Sequence, residues 1–385
     1  DNFGVLDIVL PGDTLFITND LKLENSALLM GGGTLNLSAG TGTLTVGNGG
    51  GISPGQNADG SLTIDGKLII DPGAQLMFDL ESNTLFDKIL VSFGNTVTIN
   101  GGDLFAFWEG PAGTTGSGFT NVLNGAQFNF IDCSASLIAC MTVNTPLNMH
   151  DPLNVNPAVT PLSVTFPVTD QNSLEYTLGT KTGTVFEWTG TAGDGLWTSP
   201  SNWLGGAAPV PGASVIIDGN GAVIPVAITG SVNIANLQTD ALLLFLGGSL
   251  SIGGQAVVSP TYGPNSGTLS PPSGLLLAGP GSTITGSGVV TTLPGTYSVF
   301  DSDTNVTIST WDQMGVLSKD GTNNLVFDGT IFNNIGAFEV EPGSTGNVAL
   351  LNSGQFNNHG LIITESDVSM ALTTHGPDGK IDVEQ

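Results

Sequence analysis

Asp301-Ser302-Asp303-Thr304-Asn305 sets three oxygen-bearing side chains at alternate positions, and Asp312 is the twelfth residue of the same window. Calcium takes about six to eight oxygen ligands, and loops that bind it use this D-x-D-x-N spacing. The glycine that such a loop turns on at its sixth position is Val306 here, and residues 306–308 read as strand. A polar turn is the competing reading. Asp301, Asp303 and Asn305 are the metal candidates of this sequence, and calcium is the one cofactor it admits.

A second constellation is aromatic. Trp188, Trp197 and Trp203, three of the five tryptophans, fall within residues 185–218. Exposed indole faces stack on sugar rings, whereas buried ones close a core. Cys133 and Cys140 lie close enough for a local disulfide in an oxidising compartment, worth about 2.5 kcal/mol in the chain-entropy model. Two buried thiols are the alternative, and no histidine stands near enough for a zinc site. His150, His359 and His375 are scattered and match neither a triad nor a ligand set. Glycoside cleavage needs two flanking carboxylates, but among 33 acidic residues a close pair distinguishes nothing. Polysaccharide elimination leans on Arg or Lys, and the chain has no arginine. Phosphate-cradling loops, dinucleotide fingerprints and nucleophile elbows do not occur. We expect no enzyme. The triplets Asn36-Leu37-Ser38 and Asn305-Val306-Thr307 are glycosylation sequons of the kind chance produces in so Asn-, Ser- and Thr-rich a chain.

Charge narrows the partners. The 33 acidic residues face six lysines, for a net charge of -27. Nucleic acid and anionic membranes would be repelled. An acidic surface suits solubility, divalent cations and salty or extracellular surroundings. No run of 18 apolar residues occurs, so membrane insertion is not expected. No signal peptide is seen, and the expectation is an exported protein from which it has been removed.

The elements that would carry these residues are short strands. Of 385 residues 56 are glycine, and only 10% are charged. From Gly31 onward a glycine turn recurs, each time followed by about four alternating residues. Leu35, Leu37, Leu44, Val46, Leu62, Ile64, Leu68, Ile70, Leu76 and Phe78 would share one interior. Units this short bury an apolar face only by stacking, which is solenoid logic. Phe105, Phe107, Trp108, Phe128 and Phe130 would fill a widening or closing core. Five prolines mark residues 133–167 as an excursion, residues 173–178 read as a closing strand, and residues 179–183 as a linker. Beyond them the pattern resumes. Residues 241–246 form the longest apolar cluster and read as one buried strand, and residues 262–274 as a loop between coils. IFNNIGAFEVE at Ile331 returns as QFNNHGLIITE at Gln355. Phe332 would stack on Phe356, and Asn333-Asn334 on Asn357-Asn358 in a turn. At about 22 residues per coil, the second half holds roughly nine coils.

Two resemblances follow from these residues. Ser53, Pro54, Gly55, Gly60, Leu62, Ile64, Gly66, Pro72, Gly73, Ala74, Asp87, Lys88, Ile89 and Val91 resemble the passenger-associated repeat of bacterial autotransporters. The match spans about 45 residues and implies a secreted right-handed parallel β-helix without catalytic residues. No C-terminal membrane barrel follows, so self-export in that family's manner is not expected. Trp188, Gly190, Gly195, Trp197, Asn202, Trp203, Pro209, Pro211, Gly212, Val215 and Ile217 resemble a module that opens β-helices in secreted bacterial repeat proteins.

The resulting expectation is an all-β chain of two right-handed parallel β-helical domains in series. The first covers residues 1–180 with the excursion at 133–167. The second covers residues 185–385 and is opened by the tryptophan cap at 185–218. Its function would be structural: a self-associating subunit of an extracellular filament, sheath or surface layer, or an adhesin, joined through strand edges at residues 5–10 and 380–384. A carbohydrate-binding or carbohydrate-cleaving surface protein is the alternative, with glycan partners at the tryptophans.

Overall fold

The computed structural model describes residues 5–8, 12–55, 60–108, 126–133, 139–150, 173–177, 185–218, 225–259, 274–279, 282–364, 369–370, 374–375 and 380–383. The chain is all-β and forms two compact units, Asp1–Gly183 and Thr184–Gln385. Among the described residues no helix is long and apolar enough to cross a membrane. The linker expected at 179–183, the loop at 262–273 and the prolines at 152, 157, 161 and 167 lie outside the described residues.

In unit 1 successive strands visit three sheets in turn, so each strand pairs with the third one along. Sheet I holds Val5–Ile8, Leu28–Gly31, Gly51–Pro54, Gln75–Leu80, Asp103–Trp108 and Asn148–His150. Sheet II holds Thr14–Ile17, Thr34–Leu37, Ser61–Asp65, Lys88–Val91, Gln127–Asp132 and Ser173–Thr177. Sheet III holds Leu21–Leu23, Thr43–Val46, Lys67–Ile70, Val97–Ile99 and Met141–Val143. Among the described strands pairing is parallel except at Ser173–Thr177, which runs antiparallel to Gln127–Asp132. The ten interior residues expected from alternation are all fully buried. Phe78 stacks on Phe130 with ring centroids 4.4 Å apart.

Two readings change. Residues 141–150 are not yet excursion, because Met141–Val143 and Asn148–His150 continue sheets III and I. Pro146 falls in the corner between them, where no ladder donor is needed. Phe105 and Phe107 point away from Leu104, Ala106 and Trp108, on the outer side of sheet I, yet each is only 1% exposed.

Unit 2 repeats the circuit over three faces, two of which, here sheets IV and VI, are joined through Ser231–Thr239 into one 15-stranded sheet. Sheet IV holds Val185–Glu187, Ala213–Ile217, Gln255–Val258, Val289–Thr292, Thr310–Gln313, Ile331–Asn334, Gln355–Asn358 and Thr374–His375. Sheet V holds Val226–Ile228, Leu242–Phe245, Gly274–Leu277, Tyr297–Phe300, Val316–Lys319, Ala337–Val340, Leu361–Thr364 and Lys380–Val383. Sheet VI holds Ser249–Ile252, Thr283–Thr285, Thr304–Thr307, Leu325–Asp328, Asn347–Leu351 and Ser369–Met370. The nine-residue strand Ser231–Thr239 belongs to two sheets, pairing with Ser249–Ile252 at its start and Gln255–Val258 at its end. Asn236 stands where it bends, accepting a hydrogen bond from Gln255 N–H at 3.0 Å and donating to Ser214 Oγ at 3.1 Å.

One interior column of sheet IV runs Val215, Leu237, Ala256, Val290, Trp311, Phe332 and Phe356. Its last three steps are 21, 21 and 24 residues. Phe332 and Phe356 meet at 4.8 Å. The paired asparagines do form ladders, but within strands rather than a turn. Asn357 donates to Asn333 at 2.9 Å, and Asn333 to Asp312 at 2.8 Å, along the outside. Asn334 donates to Asn358 at 2.7 Å along the inside, where both are fully buried. These side-chain bonds compensate for the poor strand propensity of asparagine. The apolar cluster 241–246 also divides: Leu243 and Phe245 are buried, Leu242 and Leu244 face outward, and Leu246 is 49% exposed.

Candidate functional site: the tryptophan cap and the acidic corner

Trp188 follows the strand Val185–Glu187, which lies on Ala213–Ile217 at the start of sheet IV. The chain then loops over sheet V. Trp197 N–H donates to Ala227 O at 3.1 Å, and Ala227 N–H to Gly195 O at 2.8 Å. Residues 195–197 therefore occupy the rung before Val226–Ile228. Trp203 lies edge-on to both Trp188 and Trp197, each at 5.0 Å, and its Nε1–H donates to Trp197 O at 2.8 Å. The three indoles are only 2–4% exposed and join the unit 2 core. Sugar stacking needs a free ring face, and here the rings face one another and the first coil.

Two polar residues hold the loop. Asn202 is fully buried; its Oδ1 accepts from Ala192 N–H at 2.8 Å, and its Nδ2 donates to Asp194 Oδ1 at 2.6 Å and Leu196 O at 3.1 Å. Asp194 also accepts from Leu196 N–H at 3.0 Å and from the Ser199 hydroxyl. The Ser199 bond, followed by that of Leu196, holds the Asp194 carboxyl below its ordinary value. Asn202 entered the sequence reading only as part of the module pattern, and Asp194, three residues before Trp197, escaped it.

Asp301, Asp303 and Asn305 all lie exposed at alternate positions leading into and along Thr304–Thr307. An extended chain sends such side chains outward in a row instead of around one point. Asp303 Oδ1 accepts from Asn324 N–H at 2.8 Å, and Asp301 O from Asn323 Nδ2 at 3.0 Å. Among the described residues, no group of three or more His, Cys, Asp or Glu is placed to hold a metal ion. The same corner contains Lys319. Its residue is 1% exposed, and its Nζ donates to Thr345 O at 2.7 Å. Burial pushes the ammonium below its ordinary 10.5, against the upward pull of Asp320 and Asp303.

Lys319 therefore binds protons less readily in the folded than in the unfolded chain. Stability from this group rises as pH climbs toward 10.5. Tyr297 acts oppositely. Burial is the main cause that raises its hydroxyl above 10.0, with Glu341 and Glu339 adding to it and Ser318 opposing. Above pH 10 the unfolded chain loses that proton first, so stability falls. Denaturation midpoints from pH 8 to 11 should show Lys319→Met removing the rise and Tyr297→Phe removing the fall. Profiles unchanged by either substitution would contradict this assignment.

In unit 1, Cys133 and Cys140 form the expected disulfide. Asp87, within the repeat-like stretch, is fully buried and ties Gly60 N–H at 2.9 Å and Asp79 N–H at 3.1 Å to one carboxylate. His150 Nε2 lies 2.9 Å from Asp103 Oδ1, and its ring stacks on Phe105 at 4.6 Å. His359 takes the turn position of Ile335, each N–H bonding the coil before it at 2.8 Å. The His375 side chain lies outside the described residues. Elsewhere amides stand where cations would: Asn36 on Asp65, Asn100 on Asp71 and Asn352 on Asp328, at 2.6–2.8 Å. Charge-assisted bonds from neutral donors let an arginine-free chain seat its carboxylates. In comparisons with family models, curated proteins and solved structures, nothing matches this chain.

Proposed function

We propose that the chain is a secreted structural protein, a subunit of an extracellular filament, sheath or surface layer, or an adhesin. Each unit is a right-handed parallel β-helix. The three-sheet circuit supports that reading, and strand twist favours right-handed crossovers between parallel strands. The Cys133–Cys140 disulfide supports an oxidising, extracellular setting. The passenger-type repeat is carried by Ser53-Pro54-Gly55 and the Gly60–Asp87 tie.

The observation that carries the proposal is the contrast between coil ends. Ser173–Thr177 closes sheet II of unit 1 by antiparallel pairing, and the tryptophan loop closes the first coil of unit 2. At the other end of unit 1, Val5–Ile8, Thr14–Ile17 and Leu21–Leu23 are each, among the described residues, the terminal strand of their sheet. Leu15, Ile17 and Leu21 are only partly buried there, and Phe16 is 72% exposed. Strand edges beside an apolar interior can add strands from a partner. The proposed joint is this end, with Lys380–Val383 and its neighbours as the counterpart. Burial of Trp188, Trp197 and Trp203 favours the cap over the glycan contact.

Negative-stain microscopy and sedimentation at rising concentration test the joint. Wild-type protein should form end-to-end particles, and the double substitution Leu15→Lys with Leu21→Lys should leave monomers of unchanged strand content. Uniform wild-type monomers at every concentration would end the proposal.

A further inference from the structure

The last coil of unit 1 is held unevenly. Its strand Gln127–Asp132 is clamped on both sides, by Lys88–Val91 and by Ser173–Thr177, and Phe130 stacks on Phe78. The two rungs that follow have a strand on one side only among the described residues. Met141–Val143 lies on Val97–Ile99, and Asn148–His150 on Asp103–Trp108. Their inward residues show the difference. Val143 and Met149 are part-exposed, whereas Ile99 and Leu104 beneath them are at most 1% exposed. Asn144 donates to Asn100 at 2.7 Å and His150 reaches Asp103 at 2.9 Å, but both ties lie on the outer side.

The corner that joins the clamped strand to these rungs is the longest of its row. From sheet II to sheet III the chain turns over residues 18–20, 38–42, 66 and 92–96 in the earlier coils, and over 133–140 here. A longer corner costs more entropy to close, and a terminal rung has one neighbour to offset it. The disulfide spans this corner. Cys133 directly follows Gln127–Asp132, and Cys140 directly precedes Met141–Val143, its O accepting from Val97 N–H at 2.8 Å. The bond therefore ties the weakly held rungs to the firmly held strand. Both cysteines are at most 3% exposed.

We propose that the Cys133–Cys140 bond is a one-way redox latch on this end of unit 1. In the reduced chain the two rungs open and close, and the interior beneath them opens with them. In an oxidising compartment the two thiols pass two electrons and two protons to a disulfide oxidant, which leaves as two thiols. The bond forms while the coil is open. Cross-linking a loop of about eight residues then favours the closed coil by roughly 50-fold in the chain-entropy model. Reduction needs a thiolate to reach one of the sulfurs, and the closed coil covers both, so the bond persists. Closure of this end is in this way tied to arrival in an oxidising compartment. The inference shares that setting with the proposed function but needs neither a filament nor adhesion.

Amide hydrogen exchange on the whole chain tests the latch. Wild-type protein refolded with dithiothreitol keeps both side chains and lacks only the bond. It should exchange Met141–Val143 and Asn148–His150 at least tenfold faster than the oxidised protein, with Lys67–Ile70, Gln75–Leu80 and unit 2 unchanged. Oxidised glutathione should restore the slow rates. The double substitution Cys133→Ala with Cys140→Ala should exchange like the reduced chain and ignore the oxidant. Slow exchange in both reduced and substituted chains would overturn the proposal. Protection lost throughout unit 1 would overturn it too, since the bond would then support the whole unit and not latch its end. The one-way step has its own readout. Folded oxidised protein should resist dithiothreitol at least tenfold longer than the same protein in urea, and equal rates would overturn that step.

Discussion

Trp203→Ala should destabilise unit 2 by about 3–5 kcal/mol, the range for emptying a buried aromatic site. Trp203 is 2% exposed and is the ring against which both Trp188 and Trp197 rest. Its loss leaves a cavity between two indoles and strips Trp197 O of the Nε1–H donor. The lesion sits at the end of a stack, where no further coil can take over the cover. Scanning calorimetry should show the unit 2 transition falling while that of unit 1 stays. Leu204→Ala, one residue on and 52% exposed, should change stability by less than about 0.5 kcal/mol. Equal effects at the two positions would mean that the loop is an appendage and not a cap.

Phe332→Ala should cost a similar amount, about 3–5 kcal/mol, but with a different outcome. Its ring lies 4.5 Å from Phe327, 4.8 Å from Phe356 and 6.0 Å from Trp311, in the middle of the array. In a stack each coil gains its stability from its neighbours, so a weak rung divides the array. Hydrogen exchange should show protection falling first in Gln355–Asn358 and Leu361–Thr364, with Val289–Thr292 less affected. Phe16→Ala, at a 72% exposed ring, should leave the pattern unchanged. A single uniform loss of protection across unit 2 would show that its coils unfold as one block.

Much of this architecture can be read from residue order. Leu35, Leu37, Leu44 and Val46 alternate with Thr, Asn and Gly, so period two and the interior both follow. Phe332 and Phe356 announce the coil length because identical neighbours flank them. Other features are hidden for physical reasons. Leu242 and Leu244 read as core because a continuous apolar run does not reveal which parity faces inward. Asn333 and Asn334 read as a turn because asparagine avoids isolated strands, and only the next coil supplies the amide partners that keep it there. The role of Asp87 was hidden as well, since Gly60 is 27 residues away in sequence and meets it only after the coil closes. The candidate calcium residues failed to converge for a local reason: Val306 carried the strand pattern straight through the place where a glycine would have turned the loop. At the tryptophans, the pattern put the start of the second unit at residue 185, beside its start at Thr184, and only the structure gave the burial of the three rings.

The three-sheet circuit has a mechanical consequence. The covalent chain runs around each coil, and the hydrogen bonds between coils run along the stack. Tension applied along a stack would load these bonds head-on, a few at a time, and not in shear. A coil of 21 residues, such as that from Val290 to Trp311, would then peel away and lengthen the chain by up to about 70 Å. The neighbouring coil would stay intact until its own turn came. The Ser231–Thr239 strand, whose two halves hold two different sheets of the next coil, would interrupt this peeling, since both must release together. Such a chain would give way under load by stepwise lengthening, and the coils beneath the tryptophan cap would be the last to yield.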